Sequence, residues 1–150
     1  MKKVVVVVAF GLVATLAASP PASAARSCNG EAPTIVGTTG TDPIIGTHGD
    51  DVIVAKAGND VIRGRGGDDS ICGNGGDDFI RGGRGADVVI GGAGNDVIYG
   101  GEGDDVLLGR RGDDELHSGP GSDTWNAGDG LDTCYRYGPD GEAERCEIIL

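Results

Sequence analysis

Gly91-Gly92-Ala93-Gly94-Asn95-Asp96-Val97-Ile98-Tyr99 is one block of a nine-residue unit that decides the fold. From Gly37 to Tyr135 the chain divides without insertion into eleven such blocks. Glycine holds the fourth place in every block, from Gly40 and Gly49 to Gly121 and Gly130. Aspartate holds the sixth place throughout: Asp42, Asp51, Asp60, Asp69, Asp78, Asp87, Asp96, Asp105, Asp114, Asp123 and Asp132. The eighth place is apolar: Ile44, Ile53, Ile62, Ile71, Ile80, Val89, Ile98, Leu107, Leu116 and Trp125, ending at Cys134. Three places held in register over so many blocks mark a solenoid in which each unit stacks on its neighbours.

Each place has a physical reason. Glycines at the first and fourth places are expected to supply positive φ and close backbone approach for a tight turn. The last three places, such as Val97-Ile98-Tyr99, are expected to form a short strand. Its middle side chain faces inward and its neighbours outward. Two blocks then make one coil, residues 18 apart stack, and five and a half coils at ~4.8 Å give a rod roughly 26 Å long. The fold class expected is all-β, a parallel β-roll with small terminal caps.

Stacking places the aspartates in two columns. One is Asp42, Asp60, Asp78, Asp96, Asp114 and Asp132, and the other Asp51, Asp69, Asp87, Asp105 and Asp123. Carboxylates ~5 Å apart repel by about 0.8 kcal/mol per pair even at the dielectric of water. A hard divalent cation between them reverses the sign. Calcium suits the site better than magnesium, because it accepts six to eight oxygens in flexible geometry, and turn carbonyls supply the remainder. One site per stacked pair gives up to about nine ions. With so thin a core, metal binding becomes folding energy, and the calcium-free chain is expected to be disordered.

The nonapeptide GGxGxDxUx resembles the RTX repeat family, over residues 37–135. That resemblance implies a calcium-binding turn from the GGxGxD half, a strand from the xUx half, and ligands from the sixth-place aspartates of stacked turns. The chain departs from the pattern at Ala55, Ser118 and Ala127 in place one, and at Thr38, Thr47, Lys56, Arg65 and Asn74 in place two. Pro43 in the first block requires an edge strand. Blocks two to nine are therefore the firmest binders. The chain looks like a short stand-alone secreted member of the family rather than a large toxin or protease.

Composition agrees. The chain has 150 residues, 30 glycines, six aromatics and a formal charge of -12. Such a balance argues for cations as partners and against nucleic acid or an anionic membrane surface. Residues 1–24 read as a signal peptide: Lys2 and Lys3, an apolar run from Val4 to Ala18, then Ala22-Ser23-Ala24. The run is too short to span a bilayer. The protein is thus expected to be secreted and extracellular, with no membrane insertion after cleavage. Residues 25–36 and 136–150 are the expected caps.

Cys28, Cys72, Cys134 and Cys146 allow three disulfide connectivities. The pairing favoured is Cys28–Cys72 with Cys134–Cys146, the latter bracketing the Gly138-Pro139-Asp140-Gly141 turn. Outward places of the even blocks carry an apolar stripe, Val52, Val88, Ile90, Val106 and Leu108. The stripe is either a surface for self-association or a protein partner, or it is covered by Ile35-Val36 or by Ile148-Ile149-Leu150. Arg111-Gly112-Asp113 and Arg81-Gly82-Gly83-Arg84 are in frame with the repeat and carry no signal of their own. His48 and His117 occupy different repeat places with no nucleophile in matching register, so the chain is read as a non-enzyme. The alternative function is a calcium-stabilised adhesion or interaction module at the cell surface or matrix.

Overall fold

The structure, a computed structural model, describes residues 27–137 together with the backbone of 143–146. The expected signal peptide, the residues flanking its cleavage site and Ile148-Ile149-Leu150 lie outside the described residues. The strands run β1 (Ile35–Val36), β2 (Pro43–Ile45), β3 (Val52–Ala57), β4 (Val61–Gly66) and β5 (Ser70–Gly75). They continue with β6 (Phe79–Arg84), β7 (Val88–Ala93), β8 (Val97–Glu102) and β9 (Val106–Arg111). Last come β10 (Glu115–His117), β11 (Thr124–Asp129), β12 (Thr133–Tyr137) and β13 (Ala143–Cys146). No helix occurs among the described residues.

Alternate strands pair in parallel, giving one sheet ordered β1-β3-β5-β7-β9-β11 and a second ordered β13-β12-β10-β8-β6-β4-β2. The register is 18 residues, as in Ile62 opposite Ile80 and Ile80 opposite Ile98. This is a parallel β-roll of about six coils. Pro43 begins β2, which is an edge strand, as its missing donor requires.

Most strands are six residues long rather than three. Places six, eight and one alternate inward across the block boundary, so the period-two pattern does not stop at place nine. In β4, Ile62, Gly64 and Gly66 are buried while Val61, Arg63 and Arg65 are exposed. The first-place residue is therefore a core-facing strand residue, not a turn residue. Positive φ falls instead at places two and four, as at Gly83 (133°) and Gly85 (115°). Lys56, Arg65, Asn74 and Arg110 adopt the same left-handed second-place conformation, at φ of 87°, 88°, 77° and 93°.

The core is formed by the eighth-place side chains of both sheets, buried from Ile44 to Leu116 and at Cys134, with Trp125 packed at its margin. Each contributes about 1.5–3 kcal/mol of apolar burial. A second, smaller cluster forms where Cys28 meets Val54 and Cys72, with Val52 and Ile90 against it. Cys28 and Cys72 are disulfide-bonded at a Cα–Cα distance of 5.7 Å. The N-terminal segment thus covers one end of the apolar stripe through Cys28. Ile35 and Val36 do not lie over it; they extend the sheet as β1. Cys134 is also disulfide-bonded, and β13 sets Cys146 opposite it in the antiparallel pair with β12.

Candidate metal centre

The sixth-place aspartates stand just before each strand and point into the roll, because place six shares the inward parity of places eight and one. From Asp60 to Asp114 they are almost fully buried, each at 1–2% exposure. Stacking at 18 residues aligns them in the two expected columns. In each column the Oδ1 of one carboxylate accepts the backbone N–H of the aspartate one coil earlier. The first column runs Asp42 to Asp60, Asp60 to Asp78, Asp78 to Asp96, Asp96 to Asp114 and Asp114 to Asp132, at 2.8–2.9 Å. The second runs Asp51 to Asp69, Asp69 to Asp87, Asp87 to Asp105 and Asp105 to Asp123, at 2.8–3.0 Å.

The second oxygen has no such partner. Oδ2 of Asp60, Asp69, Asp78, Asp87, Asp96, Asp105, Asp114 and Asp132 is buried without a hydrogen bond. Leaving so many carboxylate oxygens unsatisfied is costly unless something positive sits beside them. The space is shaped for that. A Cβ placed on Gly64 would run into Asp69 Oδ2 and the carbonyl oxygen of Gly82. Gly73 stands in the same relation to Asp78 and Gly91, and Gly82 to Asp87 and Gly100. First-place glycine is therefore small because an anionic oxygen and a carbonyl oxygen approach one point there.

Electrostatics agree with an electron-rich interior. Burial pushes the carboxyls of Asp87 and Asp96 up to about 7, and those of Asp69, Asp78, Asp105 and Asp114 up to about 6. The N–H bond from the preceding coil opposes the shift, and neighbouring carboxylates add to it. Asp60 is raised for the same first reason. Among the described residues, no three His, Cys, Asp or Glu side chains converge on one point. A cation here would draw on paired carboxylates and backbone carbonyls. That all-oxygen, hard donor set fits calcium.

The first blocks differ. Asp42 Oδ2 accepts from the N–H (2.6 Å) and hydroxyl (2.8 Å) of Thr38, and Asp51 Oδ2 from those of Thr47 (2.6 and 2.9 Å). Second-place threonine thus supplies at Asp42 and Asp51 the partner that Oδ2 of the eight aspartates above lacks.

One contributor is absent from the sequence reading. Fifth-place side chains form an outer ladder running the opposite way. Asp50, Asn59, Asp68, Asp77 and Asn95 accept the fifth-place N–H one coil later, as in Asn95 to Asp77 Oδ1 at 2.9 Å. Its signal was the recurrence of Asn or Asp at place five, which the invariant aspartate beside it obscured.

A family model described as the RTX calcium-binding nonapeptide repeat matches in four copies, at residues 36–71, 45–80, 73–107 and 99–134. Together they cover about two thirds of the chain. No curated protein and no solved structure matches it.

Proposed function

The chain belongs to the RTX calcium-binding nonapeptide repeat family, and from that premise we propose that it is a secreted, non-enzymatic β-roll that folds on extracellular calcium. The ions would be held between stacked sixth-place aspartates, with Asp60, Asp69, Asp78, Asp87, Asp96, Asp105, Asp114 and Asp132 as the strongest ligands. Asp42 and Asp51 would contribute less, since their free oxygens are taken by threonine, and Asp123 closes the second column. The observation that carries this reading is the row of buried, unpartnered Oδ2 atoms. Bound calcium supplies the positive charge those oxygens lack. The chain's own part is to stack the carboxylates, keep water from them with the eighth-place side chains, and clear space with first-place glycine.

Export fits the same physics. A chain held unfolded by its own carboxylates where calcium is scarce would be ready for translocation, and would fold on meeting calcium outside. The test is a calcium titration of residues 25–150, disulfides intact, followed by far-UV circular dichroism. A cooperative coil-to-β transition that magnesium does not reproduce is the expected result. A spectrum already β-rich in chelator would reduce calcium to an accessory and sink the folding switch.

A further inference from the structure

The outer face of the second sheet carries a feature the calcium sites do not use. Ninth-place residues of β4, β6, β8, β10 and β12 stack in register as Arg63, Arg81, Tyr99, His117 and Tyr135. They line a groove of about 1330 Å³ that runs along the roll. At one end the groove is cationic. Arg63 and Arg81 are strand partners, and Arg65 projects beside them from the second place. Arg84 pairs with Glu102 at 3.3 Å, whereas Arg63, Arg65 and Arg81 have no carboxylate within 4.0 Å among the described residues.

At the other end the rings are stacked on one another. Tyr99 and His117 lie 4.3 Å apart and 7° from parallel, and His117 and Tyr135 4.5 Å apart and 13° from parallel. His117 thus has a ring against each face, Tyr99 and Tyr135 each have one stacked face, and all three side chains border the groove. Glu115, on the same strand as His117, is paired with His117 Nε2 at 2.7 Å.

We propose that this groove binds a linear acidic polysaccharide, its carboxylates seated on Arg63 and Arg81 and its chain lying along the stacked rings. Two arginines on paired strands, their backbones roughly 4.8 Å apart, suit a polymer carrying an acid on successive units. On a chain of charge -12, an unpaired arginine column is a local reversal of sign and gives the surface its charge complementarity. Single-stranded nucleic acid is less suited, because the middle ring, His117, has both faces covered by its neighbours. Calcium's part is to build the platform, so this inference rests on the roll being folded but not on which oxygens hold the ions.

The experiment measures binding of polygalacturonate to calcium-loaded protein by calorimetry, with circular dichroism verifying the fold in every arm. Binding is expected, with none to neutral dextran. The double variant Arg63→Gln/Arg81→Gln should weaken it about tenfold or more, while Arg111→Gln, on the opposite sheet, should not. Undiminished binding in the double variant would mean that calcium bridges polymer and acidic turns, and would overturn the proposal. So would absence of binding, tighter binding of single-stranded DNA, or a dimer that the double variant dissolves. A failure of the calcium switch itself would appear separately, as a β-rich spectrum in chelator.

Discussion

The backbone N–H of Asp78 donates to Oδ1 of Asp96 at 2.9 Å, so the Asp96 carboxylate joins two coils through one oxygen and leaves the other buried and open. One side chain thus has a structural half and a metal-facing half, and the two can be separated by substitution.

Asp96→Asn keeps an acceptor for the Asp78 N–H and removes the anion. It is expected to raise the calcium midpoint several-fold. Asp96→Ala loses both halves and should cost a further ~1–3 kcal/mol, because the Asp78 N–H is left unpaired in the core. Calcium titration followed by circular dichroism, with chemical denaturation in saturating calcium, distinguishes them. Equal calcium midpoints for wild type and Asp96→Asn would remove Asp96 from the site.

The stacked carboxyls also fix a pH dependence. Asp87 and Asp96 titrate near 7 when folded but near 4 in an unfolded chain. Between those values the folded state binds more protons. The stability that these two groups contribute to the calcium-free roll is therefore fully present below about pH 4 and lost as pH rises through about 7. In chelator, circular dichroism should show more roll near pH 4.5 than near pH 7.5. Calcium competes with the same protons, so its affinity should rise over that interval. A chelated roll that grows more stable toward neutrality would contradict the burial of these groups.

The second place tests the backbone in both directions. Gly92 has φ of 133°, and a Cβ there would strike the Asn74 carbonyl. Gly92→Ala should therefore lower stability by about 1–3 kcal/mol. Lys56 already bears a side chain at φ 87°, and Lys56→Gly should raise stability by about 1 kcal/mol despite the glycine's added freedom when unfolded. Thermal unfolding in saturating calcium reads both. A lower midpoint for Lys56→Gly would mean that its stem packing outweighs the backbone strain.

The Cys28–Cys72 bond spans 44 residues, a loop whose closure is worth about 4 kcal/mol in the chain-entropy account. Cys28→Ser/Cys72→Ser should lose stability of that order in calcium and uncover Val54. Peptide mapping of the native protein is expected to recover Cys28 with Cys72 and Cys134 with Cys146. A Cys28–Cys134 peptide would refute that pairing.

Much of this was legible because the repeat leaves few choices. An 18-residue coil follows once places four, six and eight recur every nine residues, and the edge position of β2 follows from Pro43. Strand length was less legible. Glycine at place one looks like a turn residue until Asp69 Oδ2 and the Gly82 carbonyl are seen crowding the Cα of Gly64. The outer ladder through Asn95 and Asp77 was hidden because an exposed Asn or Asp at a turn has a sufficient local explanation.

By itself, then, the sequence determined the coil, the register, the inward side chains from Ile44 to Cys134 and the two columns of aspartate, since each depends only on parity and period. Only the tertiary structure decided which carboxylate oxygen is spent and which is open, that Thr38 and Thr47 satisfy the first two, and that arginines and stacked rings border one groove. Those facts depend on which atoms meet between coils 18 residues apart. A repeat fixes the residues that face each other across such a gap; hydrogen-bond geometry and packing fix what their atoms do there.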